Sequence, residues 1–184
     1  LMRRLGLAVS YLHTSEERSG FYRRLGYRQA AMDTSCALLQ LDAFGHRSKP
    51  TLPPRASLRL GNIRDASQLN IIYDAHCRRT SGNWSRTVPF WRRRLQGKPK
   101  LWSAPVSYRV VGQERPEAYI AIRAMDDTGW IGEWACMPGA EHLATTLLYD
   151  TLHQWRTQGV QHARVIINRL HPLWSQFVML NPQE

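Results

Sequence analysis

The stretch Phe21-Tyr22-Arg23-Arg24-Leu25-Gly26-Tyr27 decides how this chain is read. An aromatic pair, a short basic turn and then Leu-Gly-aromatic spell a helix over about 19–25 that stops at a glycine and runs into a strand. Glycine supplies the left-handed conformation that ends a helix at little steric cost. Upstream, Leu7-Ala-Val-Ser-Tyr-Leu12 is a short apolar strand and His13 to Gly20 a polar, turn-rich link. Downstream, 27–33 and 35–42 read as a strand pair, with partial alternation in Ser35-Cys-Ala-Leu-Leu-Gln-Leu41. Leu1 to Gly6 reads as the last turns of a helix, so this first unit is expected to be incomplete. Taken alone, Tyr22 packs its ring and points its hydroxyl to water, as amphipathic aromatics do.

Composition bounds the rest. With 184 residues and 43% hydrophobic content, the chain can hold one ordinary domain, or one domain and part of another. No apolar run approaches the ~18 residues of a membrane span. The Leu-Met-Arg-Arg start mimics a signal peptide, but the apolar stretch after it is too short and lacks a small-residue cleavage site. Cys36, Cys77 and Cys136 fit no metal spacing and read as reduced thiols of a cytoplasmic protein. Twenty-five Lys plus Arg against 14 Asp plus Glu leave a net charge of +11. An excess of that size favours polyanionic partners, whether nucleic acid or the phosphates of a nucleotide cofactor, without choosing between them.

A Pro-rich linker over 46–56 separates the first unit, 1–45, from a second, 57–184. Its prolines suit neither a helix nor a central strand. The second unit opens with the alternating strand Ser57–Ile63. Asp65 and Gln68 are placed to form a capping box. The helix after them puts Leu69, Ile72, Tyr73 and His76 on one face. A short helix over Phe90–Leu95 carries Arg92, Arg93 and Arg94 on its outer side. Three strands follow, over Trp102–Val111, Ala118–Met125 and Trp130–Cys136, with a turn at Asp126-Asp127. The clearest helix runs from Glu141 to about Gln158, closed by Gly159. A buried strand, Ala163–Asn168, and a short helix over His171–Phe177 complete the unit.

Strand, loop, short helix bearing Tyr22, glycine, strand resembles the closing half of a GCN5-related N-acetyltransferase (GNAT) domain. The order β, α, α, β, β, β, α, β, α of 57–177 resembles the same domain short of its final strands. Together they resemble the tandem acetyltransferases of the enhanced intracellular survival family. The fold this implies is α/β, a mixed central sheet flanked by helices: the C-terminal part of one unit followed by a nearly complete, degenerate second one. The chain is then expected to be a fragment or truncated member.

The resemblance implies acetyl transfer from acetyl-CoA to a primary amine on a small molecule or peptide. Tyr22 would be the general acid that protonates the departing thiolate, a task within reach of a phenol of pKa about 10 when it is well placed. Glu133 falls where some members place a general base, and it also reads as a strand carboxylate facing solvent or an arginine. The family cradles the pyrophosphate on a Q/R-x-x-G-x-G/A loop, where glycines let backbone N–H groups approach. The matching junction reads Met137-Pro-Gly-Ala-Glu-His-Leu-Ala-Thr-Thr146. Glu141 and His142 stand where a basic residue and a glycine belong, and Ala144 replaces the next glycine. No cofactor-binding residue is assigned, and productive acetyl-CoA binding by this chain is not expected. The alternatives are a non-catalytic scaffold or binding module and, ranked lower, nucleic-acid binding through the Arg-rich segment 78–100, whose aromatics could stack bases. An open sheet edge in 1–45 favours self-association.

Overall fold

A computed structural model describes residues 16–25, 35–44, 50–79, 85–97, 106–167 and 171–180. The chain divides into two compact units, Leu1–Asp33 and Thr34–Glu184. In the first, α1 spans Glu16–Arg24. It starts earlier than the sequence suggests, because Glu16 to Gly20 are helical rather than a link. The strands expected over 7–12 and 27–33, and Gly26, lie outside the described residues.

The second unit is built on a six-stranded sheet of order β1-β6-β5-β4-β3-β2. Its strands are β1 (Ser35–Gln40), β2 (Ser57–Leu60), β3 (Ser107–Gly112), β4 (Ala118–Met125), β5 (Thr128–Cys136) and β6 (His162–Ile167). The sheet is mixed: β5 and β6 run parallel and every other pair is antiparallel. A helical turn, α2 (Leu41–Phe44), follows β1. The helices α3 (Ala66–Cys77), α4 (Val88–Leu95), α5 (Glu141–Thr157) and α6 (Trp174–Leu180) complete the unit.

Period-2 alternation along the strands sorts side chains onto two faces. One face joins Ile120, Ile131 and Trp134 to Leu147, Leu148 and Leu152 of α5 and to Leu173 and Phe177 around α6. The other packs Tyr108, Tyr119 and Ala135 against Leu69, Ile72 and Tyr73 of α3 and against Trp91 of α4. The helical face foreseen for α3 is thus the buried one, His76 included.

One local expectation is corrected. The capping box forms one element earlier: the Asn62 side chain accepts from Arg64 N–H while Asp65 accepts from Asn62 N–H, closing a 3-10 turn over Ile63–Asp65. Gln68 instead donates to the Pro116 carbonyl at 2.8 Å. Asp65 takes part because Arg59 grips its carboxylate with two bonds of 2.6 and 2.7 Å. Strand β1 falls in the stretch that the sequence groups with the N-terminal unit. Ser35–Gln40 pairs antiparallel with β6, from Ser35 opposite Ile167 to Gln40 opposite His162, and buries Leu39 in the α5-side core. It covers the outer edge of β6, which unpaired would expose a row of hydrogen-bonding groups.

Candidate functional site

Beyond Ile131 and Val165 the two parallel strands part. Their pairing covers only Thr128–Ile131 against His162–Val165, whereas β5 continues to Cys136 against β4 and β6 to Ile167 against β1. A wedge opens in the middle of the sheet. At its root β5 carries a bulge: Ala121 faces Glu133 but Ile122 faces Ile131, leaving Gly132 over. A bulge re-aims the side chains beside it, and Glu133 here turns toward α3 and α4. A pocket of about 210 Å3 lies on that side, lined among others by Tyr108, Arg94, Arg123, Trp130, Glu133 and Ile166.

Glu133 is fully engaged. Arg86 donates to both its oxygens, at 2.8 and 2.6 Å, and the Tyr119 hydroxyl donates to Oε1. The guanidinium carbon of Arg86 lies 3.9 Å from the Tyr73 ring centroid and 5.1 Å from those of Phe90 and Trp91. Burial works against the charge on Arg86, but the Glu133 carboxylate outweighs it and raises the pKa. Burial, then the Glu133 charge, pushes the Tyr119 phenol far up, so it keeps its proton and donates it to Glu133. Sequence reasoning named Glu133 and its facing-arginine alternative, but missed Arg86 and Tyr119 as partners.

At the far end of β5 the chain turns through Gly139, at φ 86°, into α5. A helix N-terminus offers unpaired N–H groups and a favourable dipole to an anion. Here the anion is the chain's own. Glu141 sits in the first turn, and its carboxyl is raised by burial but lowered by more through the N–H groups of Glu141 and Gly139 and through Arg79, ending below its ordinary value. Arg79 meets it at 3.2 Å. Arg79 and Arg86, both in the basic segment 78–100, are thus each paired to a carboxylate.

The open end of the wedge is also filled. His171 stacks on Trp134, whose indole N–H donates to the Ala144 carbonyl on the α5 side, and its Nε2 lies 3.2 Å from Nε2 of His76 on α3. Leu173 N–H donates to His171 Nδ1 at 3.1 Å. A neutral His171 therefore carries its proton on Nε2 and donates it to His76. That leaves the proton of His76 on Nδ1, which is buried without a partner. Burial lowers both imidazoles to about 4. One ring pair thus ties the two helical layers together where the strands separate. Cys136 nearby is a free thiol pushed up to about 12 by burial and by Glu141.

Comparison with solved structures matches this geometry. A GCN5-related N-acetyltransferase from Anabaena variabilis overlays with a TM-score of 0.67 at 15% identity, over 100% of this chain and 44% of that one. The fold is that of a GCN5-related N-acetyltransferase. A conserved protein of Enterococcus faecalis aligns with the same TM-score at 19% identity, covering 91% of this chain and 40% of its own. The PaiA N-acetyltransferase of Thermoplasma acidophilum, solved with coenzyme A, gives 0.54 at 12% identity over 68% of this chain and 87% of that one. This chain spans less than half the length of the first two. No protein-family model matches it, and no curated protein does.

On the acetyltransferase framework the sequence-predicted residues divide. Glu133 lies in the C-terminal half of β5, beside the bulge, and Glu141 in the first turn of α5, each paired to an arginine. Tyr22 stands on α1 of the smaller unit, half-buried, with its ring edge-on to Phe21 at 5.2 Å. Asp126 and Asp127 form the β4–β5 turn, with Asp126 at φ 53°. His142 is exposed on α5, and His13 lies outside the described residues. Among the described residues no group of three His, Cys, Asp or Glu could hold a metal, and no helix is long and apolar enough to cross a membrane.

Proposed function

We propose that the unit Thr34–Glu184 is an acetyltransferase-fold module without transfer activity of its own, working as a scaffold in a tandem protein of the enhanced intracellular survival type. The observation that carries this is Glu141. A coenzyme A pyrophosphate needs the N–H groups at the start of α5, and these already serve a carboxylate pinned by Arg79. Bringing a dianion to the same turn sets like charges a few ångströms apart. His142 adds a Cβ atom where the family's loop glycine keeps the backbone bare.

In the same reading the residues before β1, Tyr22 among them, close a first, catalytic unit. That first unit takes acetyl from acetyl-CoA to a primary amine on a small molecule or peptide. The amine nitrogen attacks the thioester carbon, and Tyr22 protonates the thiolate as the C–S bond breaks. Arg86 on Glu133 supports the scaffold role, because an ion-paired carboxylate is a poor base.

The test is a transfer assay on the chain with labelled acetyl-CoA and polyamine, aminoglycoside and lysine-peptide acceptors. The proposal expects no turnover above the uncatalysed rate. Turnover that persists undiminished in Tyr22→Phe would place transfer within Thr34–Glu184 and overturn it.

A further inference from the structure

The grip on Arg86 exceeds what an ordinary structural ion pair needs. One guanidinium receives two carboxylate oxygens and three aromatic rings, while a buried phenol fixes the carboxylate from behind. That is the composition of a cation receptor. Aromatic faces attract a cation through the ring quadrupole, and a carboxylate matches the planar guanidinium fork with two parallel bonds.

The occupant is not built into an element. Ser85–Thr87 belongs to the connection before α4 and has no regular structure, whereas the receptor residues stand on β4, β5, α3 and α4. Nor is the site sealed. The Arg86 and Glu133 side chains keep 18% and 24% of their exposure, and Glu133 also lines the 210 Å3 pocket at the wedge.

We propose that Glu133, Tyr119, Tyr73, Phe90 and Trp91 form a binding site for an alkylguanidinium ion, and that Arg86 is its tethered occupant. An external guanidinium binds only when Arg86 leaves, and it takes the same two carboxylate bonds. Arg94 and Arg123 at the pocket wall exclude free polycations and favour a ligand whose guanidinium is followed by an acidic or neutral group. The proposal stands on this geometry and not on the scaffold reading. Cation binding is measured without coenzyme A, so either idea can fail alone.

The test uses the full chain carrying Arg86→Ala, titrated with methylguanidinium chloride against equal sodium chloride and tetramethylammonium chloride. Intrinsic tryptophan fluorescence and melting temperature are followed. The proposal expects Arg86→Ala to melt below wild type. Millimolar methylguanidinium should then raise its melting temperature by several degrees with a saturable fluorescence change, and the two control salts should not. Wild type, already occupied, and the double variant Arg86→Ala/Glu133→Gln should not respond. If Arg86→Ala does not fold unaided, its refolded soluble yield with methylguanidinium against sodium chloride makes the same decision. An equal response to all three salts, or an equal response in the double variant, overturns the proposal.

Discussion

Tyr119 and Glu133 pair because they are diagonal neighbours on one face of the β4–β5 ladder, where Tyr119 stands opposite Ala135 and Glu133 opposite Ala121. Tyr119→Phe keeps the ring and removes only the hydroxyl. It should cost about 1–3 kcal/mol, the range for a buried acceptor that loses a donor, read as a shift in urea midpoint at unchanged slope. Glu133→Ala should cost more, ~3–5 kcal/mol, because Arg86 is left buried and unpaired among three rings. The sequence announces Glu133 by its place in an apolar strand. It cannot announce Arg86, 47 residues away on an irregular connection, because no periodicity links a loop arginine to a particular strand position. Glu141 is different: acid and bulk at a junction where a phosphate loop needs bare backbone are visible in the residues themselves.

Among the elements, α5 and β4 follow directly from their patterns, one with apolar positions at helical spacing and a closing glycine, the other a run of strand formers bounded by turns. The partner of β1 does not follow. Alternation in 35–42 specifies a strand with one apolar face but says nothing of which distant edge it joins. What decides is that β6 needs a neighbour and that Leu39 fits beside α5. Leu39→Ala should therefore destabilise the large unit by about 2–4 kcal/mol, with hydrogen exchange rising in β6 as well as in β1. Were β1 an independent appendage, exchange in β6 would not change. A second element-level constraint is the β5–α5 contact. A Cβ on Gly129 would come within 2.4 Å of the Trp155 ring, so Gly129→Ala must displace the indole and should cost ~1–3 kcal/mol, seen as a lower melting temperature.

For the whole molecule, the His76–His171 pair predicts an acid limit. Both imidazoles titrate at about 4 when folded, against an ordinary 6.5, with burial the main cause. Between those values the unfolded chain binds protons that the folded chain does not. Stability should be full above pH ~6.5 and fall as the pH drops toward about 4, by a few kcal/mol for the pair. His171→Phe should flatten that limb of the stability–pH profile, since His76 is then the sole buried imidazole of the pair; an unchanged slope would place the titration elsewhere.

The fold-level account is that an acetyltransferase framework has its cofactor position filled by its own charge. Amide-resolved NMR of the full chain with added acetyl-CoA tests this most directly. The account predicts that the amides of 139–143 stay in place at millimolar acetyl-CoA. Saturable shifts at those amides, with Glu141 released from Arg79, would contradict it.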